Sequence, residues 1–310
     1  MSPKVTVILC THNPRREYLD ATIDSLRKQT LPVGEWEFLL VDNCSTSPLE
    51  GDVDLSWHPA GRHLRETKLG LNNARLCGIR AAAGDLILFV DDDNVLAPDY
   101  LNTCCEIAAK WPMLGMWGCH IAARYENEPP PWLQKYAHHL AVRECTQTMF
   151  GSFMDDRCVP YGAGLCIRAE VGRAYSEKAA QDSLCTSLDR IGKGFGAAGD
   201  HDICHTGLEL GFGVGRFPIL RMTHLIPAAR MNPDYFLKLA RGNSRSALLL
   251  SLVRKTAASY RKTPLWPLFK LSVGWLVRRG MERRIFCAQA RGELDALMQM
   301  RAQNPMSTPG

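Results

Sequence analysis

The sequence predicts an α/β fold with a largely parallel sheet flanked by helices, followed by a helical C-terminal extension. Two observations carry this. Strand and helix patterns alternate three times within the first 111 residues. Each of the three strand patterns also closes on a polar residue: Thr11, Asp42 and Asp91. Ligands of parallel sheets sit beyond the carboxyl ends of the strands, so three polar groups at corresponding ends form a constellation.

The elements follow in order. "KVTVILCT", Lys4 to Thr11, is a buried-strand run rich in β-branched residues. "HNPRREYLDATIDSLRKQT" reads as a helix, with Leu19, Ile23 and Leu26 on one apolar face and Pro14 in an opening turn. "EWEFLLVDNCSTS" is a second strand ending at Asp42. "NNARLCGIRAAAGD" is a second helix, with Gly84 as its expected C-cap. "LILFVDDD" is a third strand, and "APDYLNTCCEIAAKW" a third helix with Asp99 in its first turn. The middle of the chain is less regular. "ENEPPPWLQ" reads as a surface loop or hinge, "VPYGAGLCIRAEV" as a turn entering a strand, and "IGKGFGAAGDHDICHTGLELG" as a Gly-rich loop running into a helix. Beyond Met231 the pattern is helical. The expected division is 1–230 for the sheet domain, halved near residue 110, and 231–310 for a basic helical extension.

Composition sets bounds on function. A chain of 310 residues can hold one large domain or two modest ones. The net charge of +5 is too mild to argue for nucleic acid. Its distribution is uneven: from Met231 onward 14 Lys and Arg face 4 Asp and Glu, leaving the first 230 residues at −5. The 12 cysteines are scattered without a C-x-x-C pair, and the start runs straight into a strand, so free thiols in a reducing, cytoplasmic setting are expected. No stretch reaches the roughly 20 apolar residues of a spanning helix.

The chemistry concentrates at "DDD", Asp91 to Asp93. Adjacent carboxylates at a strand end repel one another unless a cation is shared among them. Mg²⁺ and similar hard ions take such oxygens and keep positions open for phosphates. A solvated turn is the structural alternative.

The ordered set "VTVILCTHN", "FLLVDNCSTS", "GLNNARLCGIRAAAGDLILFVDDD" and "GDHDI" resembles the family 2 glycosyltransferases of the GT-A fold, over about residues 4 to 230. The resemblance implies a Rossmann-like, mostly parallel sheet and inverting transfer of a sugar from a nucleotide diphosphate sugar, most often a UDP-sugar. It implies that Thr11 and Asp42 contact the base, that Arg75 braces the nucleotide, and that Asp91 and Asp92 lie on the donor. Asp93 would ligate Mn²⁺ or Mg²⁺, with His224 in "RMTHLIPAARM" completing the shell. Asp200 falls on the general-base position, with Asp202 as the fallback, because Gly199 stands where the family often has Glu. An N-cap role is the structural alternative for Asp200. "YGAGLCIRAEV" resembles the acceptor segment, where glycines would let the backbone approach the sugar. The implied acceptor is a sugar or a lipid-linked sugar, in bacterial surface polysaccharide or glycolipid synthesis.

Other readings compete. "DDDNVL" fits the nucleophile motif of haloacid-dehalogenase phosphohydrolases, although two strand–helix units precede it. A sugar nucleotidyltransferase would want a Gly-rich phosphate loop that "CTHNPRR" lacks. "HDICH" could be a zinc motif using His201 and His205. A nucleotide-sugar-binding protein without catalysis is compatible with Gly199. Finally, "PLWPLFKLSVGWLVRRGMERR", Pro264 to Arg284, predicts either a helix packed on the domain or one lying on the cytoplasmic membrane face. Trp266 and Trp275 suit the interface, and Arg278, Arg279, Arg283 and Arg284 suit anionic headgroups.

Overall fold

The computed structural model describes residues 3–181, 194–196, 198–254 and 266–303. Two compact units divide the chain. The first comprises Met1–Glu126, Ala141–Thr186 and Gly199–Ile226; the second Asn127–Leu140, Ser187–Ala198 and Pro227–Gly310, as far as these are described.

Among the described residues, the first unit is built on a nine-stranded mixed sheet. Its first half is the predicted alternation. β1 (Val5–Thr11) lies between β2 (Trp36–Asn43) and β4 (Leu86–Asp91), parallel to both, and β3 (Gly61–Glu66) adds a parallel edge. The helices α1 (Arg16–Arg27), α2 (Leu71–Ala81) and α3 (Tyr100–Lys110) connect these strands and continue the chain. The two-residue side-chain period of β1 feeds two cores. Val5, Val7 and Leu9 face α1 and α3 through Leu19, Ile23, Leu101 and Ile107. Ile8 and Cys10 face the opposite layer with α2, α4 (Ala169–Gln181) and α5 (Gly199–Glu209). Each such aliphatic side chain contributes about 1.5–3 kcal/mol by leaving water.

The second half departs from a parallel layout. β8 (Cys166–Arg168) runs antiparallel between β4 and β6 (Leu114–Tyr125). β9 (Gly213–Ile226) pairs parallel with β6, while the short β5 (Asn94–Leu96) and β7 (Met149–Gly151) pair antiparallel with β9. Thus the irregular-looking middle holds long strands. β3 was hidden by its polar sequence, and β6 and β9 by their Gly, Met and Pro content.

Gly84 does not cap α2. Ala82 holds that position with φ −69° and ψ 133°. Gly84 instead lies against β1, where a Cβ would come within 2.6 Å of the Thr6 amide nitrogen. Its own amide donates to Thr6 Oγ1 at 2.9 Å. Asp99 sits at the N-cap of α3 rather than inside its first turn, and its side chain makes no capping bond.

In the second unit, α6 (Pro233–Val253), α7 (Trp266–Val277) and α8 (Gly280–Gln303) realise the helical expectation. Asn232 caps α6 by accepting from the Asp234 amide. α6 and α8 share an Arg241–Asp295 ion pair at 2.6 Å and a core of Leu248, Leu249, Leu252 and Ala296. Pro264 and Leu265 lie outside the described residues, and Trp266 enters only as backbone. Among the described residues no helix is long and apolar enough to cross a membrane, and the eleven described cysteines are free thiols.

Candidate active site

β4 delivers Asp91 to the carboxyl end of the parallel half. The chain then turns through Asp92 and Asp93 into β5. Asn94, fully buried, fixes this turn. Its Oδ1 accepts the Asp91 amide at 3.1 Å and its Nδ2 donates to Asp93 Oδ1 at 3.0 Å. The β5–β9 register sets Asn94 opposite His224, and the Leu225 amide donates to the Asp93 carbonyl at 2.8 Å. Asp93 Oδ2 consequently lies 3.3 Å from His224 Nε2, with both residues 5% exposed.

That separation suits two ligands of one ion. Donors at about 2.1 Å from a metal lie roughly 3 Å apart along the edge of its coordination shell. Oxygen and imidazole nitrogen are donors that Mn²⁺ accepts, and Mg²⁺ accepts the oxygen. No group of three or more His, Cys, Asp or Glu poised for a metal occurs among the described residues. An ion held by Asp93 and His224 would keep positions for phosphate oxygens and water.

Beside this turn, the Thr11 hydroxyl donates to the Asp92 carboxylate. Asp42 sits one strand over and is buried. It accepts the Ser45 amide at 2.9 Å, the Leu49 amide at 3.3 Å and Arg65 Nη1 at 2.8 Å. A carboxylate offers about four acceptor positions, so about one remains for a ligand. The adjoining loops are tightly tied. Asn13 and Cys44 take the left-handed conformation at φ 48° and 60°. The Asn13 amide donates to Ser45 Oγ, and Asn13 Oδ1 accepts the Thr46 amide. Non-glycine residues in this region cost of order 1 kcal/mol or more and cluster at ligand sites.

Arg75 is buried rather than displayed on the surface of α2. Its Nη2 lies 4.0 Å from Asp91 Oδ1, and its guanidinium sits 5.6 Å from the centre of the Phe89 ring. On its other side is Gly162. A Cβ at Gly162 would stand 2.5 Å from Arg75 Nη2 and 3.2 Å from the Asp200 Cβ. Gly162 thus makes room for Arg75 and Asp200.

Asp200 lies in the first turn of α5. Its Oδ1 accepts the His201 amide at 2.8 Å, and its Oδ2 accepts the Gly162 amide at 2.7 Å. Burial acts most strongly on this carboxyl and pushes its pKa up. His201, Arg75 and the two amides together outweigh burial and hold it below the ordinary aspartate value. Asp202 is enclosed at 1% exposure, while Asp200 keeps partial access. His201 and His205 do stand one turn apart on α5. Asn94, Arg65 and the Arg75–Gly162–Asp200 packing escaped sequence reading. Asn94 alone had a local signal, in its position directly after the aspartates.

Residues 6–180 match the family profile described as Glycosyl transferase family 2, more than half of the 310-residue chain. The chain belongs to glycosyl transferase family 2. This membership overrides the phosphohydrolase reading of "DDDNVL". Two curated relatives illustrate the reach of the likeness. Glucosyl-dolichyl phosphate glucuronosyltransferase of Haloferax volcanii is 22% identical over 175 residues, covering 54% of this chain and 53% of that protein. Poly(ribitol-phosphate) beta-N-acetylglucosaminyltransferase TarS of Staphylococcus aureus is 32% identical over 104 residues, covering 32% of this chain and 17% of TarS. The chain thus spans about half or less of these relatives. Among solved structures, S. aureus TarS 1–349 in complex with UDP-GlcNAc superposes with a TM-score of 0.53. That match covers 97% of this chain and 92% of the other at 13% identity, and speaks for the GT-A fold alone.

Proposed function

We propose that this family 2 member transfers a sugar from a nucleoside diphosphate sugar to an acceptor hydroxyl with inversion. What carries the reading is the meeting of Asp91, Arg75 and Asp200 at the carboxyl end of the parallel half, next to the buried Asp93–His224 pair. UDP is the favoured nucleotide, supported by the UDP-GlcNAc bound to the TarS structure. Thr11 and Asp42 flank the base. Arg75 and Asp91 orient the ribose and diphosphate side, with Asp92 closing the turn. Asp93 and His224 would hold Mn²⁺ or Mg²⁺, whose charge stabilises the departing diphosphate. Asp200 takes the proton of the acceptor hydroxyl as it attacks, since a sugar hydroxyl is otherwise a poor nucleophile. Its low pKa keeps it ionised and ready to accept. One displacement with one base inverts the anomeric centre.

The acceptor is a sugar or lipid-linked sugar of bacterial surface polysaccharide or glycolipid synthesis. The name of the H. volcanii relative, a glucosyl-dolichyl phosphate glucuronosyltransferase, supports the lipid-linked choice. On α7, Trp275, Leu276 and Val277 are 60%, 74% and 68% exposed, beside Arg278 and Arg279. That combination supports peripheral contact of 264–284 with an anionic membrane face.

The test is a donor screen. UDP-, GDP- and dTDP-sugars are incubated with the protein and Mn²⁺ or Mg²⁺, and nucleoside diphosphate release is measured. Release from one donor, even by slow hydrolysis, is expected. A donor that binds but is never consumed, with any acceptor, would replace transfer by binding.

A further inference from the structure

Strand β9 carries a cation for which the donor site has no use. Arg216 is 6% exposed. Its Nε donates to the Arg157 carbonyl oxygen at 2.8 Å, and its Nη2 donates to the same oxygen. Its Nη1 has no hydrogen-bond partner among the described residues. A buried guanidinium normally sits against a carboxylate, because an uncompensated buried charge is costly. Here burial, and then the like charge of Arg143, push the Arg216 pKa below the usual arginine value. The next groups acting on it are Cys145, Tyr161 and Cys158, none of them carboxylates. Arg143 lies 4.8 Å over the Tyr161 ring and forms no ion pair among the described residues. Asp155, whose pKa is lowered chiefly by Arg157 and to a smaller degree by Arg143, is already chelated by Arg157 at 2.5 and 3.0 Å.

The location gives this pair a use. The β6–β9 register sets Arg216 opposite Gly118, and a Cβ at Gly118 would stand 2.5 Å from the Pro160 Cβ. Pro160 and Tyr161 lead directly into Gly162, whose amide donates to Asp200. We propose that Arg143 and Arg216 form an oxyanion subsite that receives a phosphate group of the acceptor, close to the hydroxyl that Asp200 deprotonates. Two guanidinium forks match the several oxygens of a phosphate better than the single charge of a lysine would. The term acceptor rests on the transferase reading above; the anion site does not.

The experiment is calorimetric titration of the full chain with inorganic phosphate while UDP saturates the donor site. Saturable binding is expected. Arg143→Gln, with an unchanged circular dichroism spectrum, weakens it by about tenfold or more, and Arg143→Lys, which keeps the charge without the fork, restores it only in part. Binding that UDP abolishes, or that Arg143→Gln leaves intact, overturns the site. Glycerol 1-phosphate separates the sources of the anion. If the ester binds at least as well as inorganic phosphate, the subsite serves an esterified acceptor. If it is excluded, the subsite takes free phosphate and the acceptor assignment falls. Should Arg143→Gln fail to fold, phenylglyoxal modification of the wild type decides. Phosphate then protects Arg143 in the mapped peptides, and equal modification with and without phosphate overturns the proposal. A protein that binds phosphate here yet releases no diphosphate from any donor keeps the site and loses the transferase reading.

Discussion

Asp200 and His58 carry opposite electrostatic assignments. Asp200 is held ionised by Arg75, His201 and two amides against the pull of burial. If it is the base of the proposed transfer, it should show its effect in turnover. Asp200→Asn is expected to lower kcat by about 10²-fold or more while leaving donor affinity nearly intact. Collapse of donor binding with kcat preserved would make it a donor ligand or a helix cap. Its lowered pKa places the acid limb of the rate profile below the ordinary aspartate range. His58 is kept neutral. Its ring stands edge-on to Trp36, and its Nδ1 accepts the Ala60 amide at 3.1 Å, which leaves no proton on that nitrogen. Burial lowers its pKa from 6.5 to about 4. With a depressed folded pKa, the stability it contributes is full above pH 6.5 and is lost as pH falls toward about 4. The loss is on the order of 3 kcal/mol. Urea midpoints at pH 7 and pH 5 should therefore fall more for the wild type than for His58→Gln. Equal falls would remove His58 from the account.

At the level of elements, two glycines make contrasting predictions. Gly84 abuts the β1 backbone, which cannot yield, so Gly84→Ala should destabilise by about 1–3 kcal/mol. Gly162 abuts the far end of the Arg75 side chain, which can yield. Gly162→Ala should therefore keep its melting temperature within a few degrees and lose activity, because Arg75 is displaced. Thermal melts beside donor turnover check both, and matched losses of stability would show that Gly162 is merely structural. The same contrast explains what sequence reading could reach. β1, β2 and β4 announce themselves as apolar, β-branched runs, and their carboxyl ends led to Thr11, Asp42 and Asp91. β3, "GRHLRE", is an edge with no fully buried residue, so polarity hid it. β6 and β9 contain Gly115, Gly118, Gly213, Gly215 and Pro218, and these residues mimic loops. Arg65 was out of reach because its strand was. The packing of Arg75 on Gly162 joins elements 87 positions apart, which no local pattern encodes.

For the molecule as a whole, charge and metal are the variables that can be set from outside. Chelation by EDTA should abolish most transfer, and Asp93→Asn should mimic it while the fold survives. Undiminished turnover in EDTA would assign diphosphate stabilisation to cationic side chains instead. If α7 docks on lipid, the protein should sediment with anionic liposomes at low salt and be released at high salt, since each basic residue near the surface adds roughly 1 kcal/mol that salt screens. Changing Arg278, Arg279, Arg283 and Arg284 to Gln should abolish sedimentation. Indifference to anionic liposomes at low salt would return α7 to a packing role. The Asp93–His224 pair also says something about biosynthesis. Its partners stand 131 positions apart (224 − 93), one on the loop after β4 and the other on β9, the last strand of the sheet. A ribosome that has released only the first 212 residues has made all three aspartates and none of β9. Pairs so distant in sequence close late, after the costly long loops are already joined. If Asp93 and His224 hold the proposed cation, the nascent polypeptide is spared a competent site until its sheet is complete, and affinity for the ion becomes a readout of finished folding.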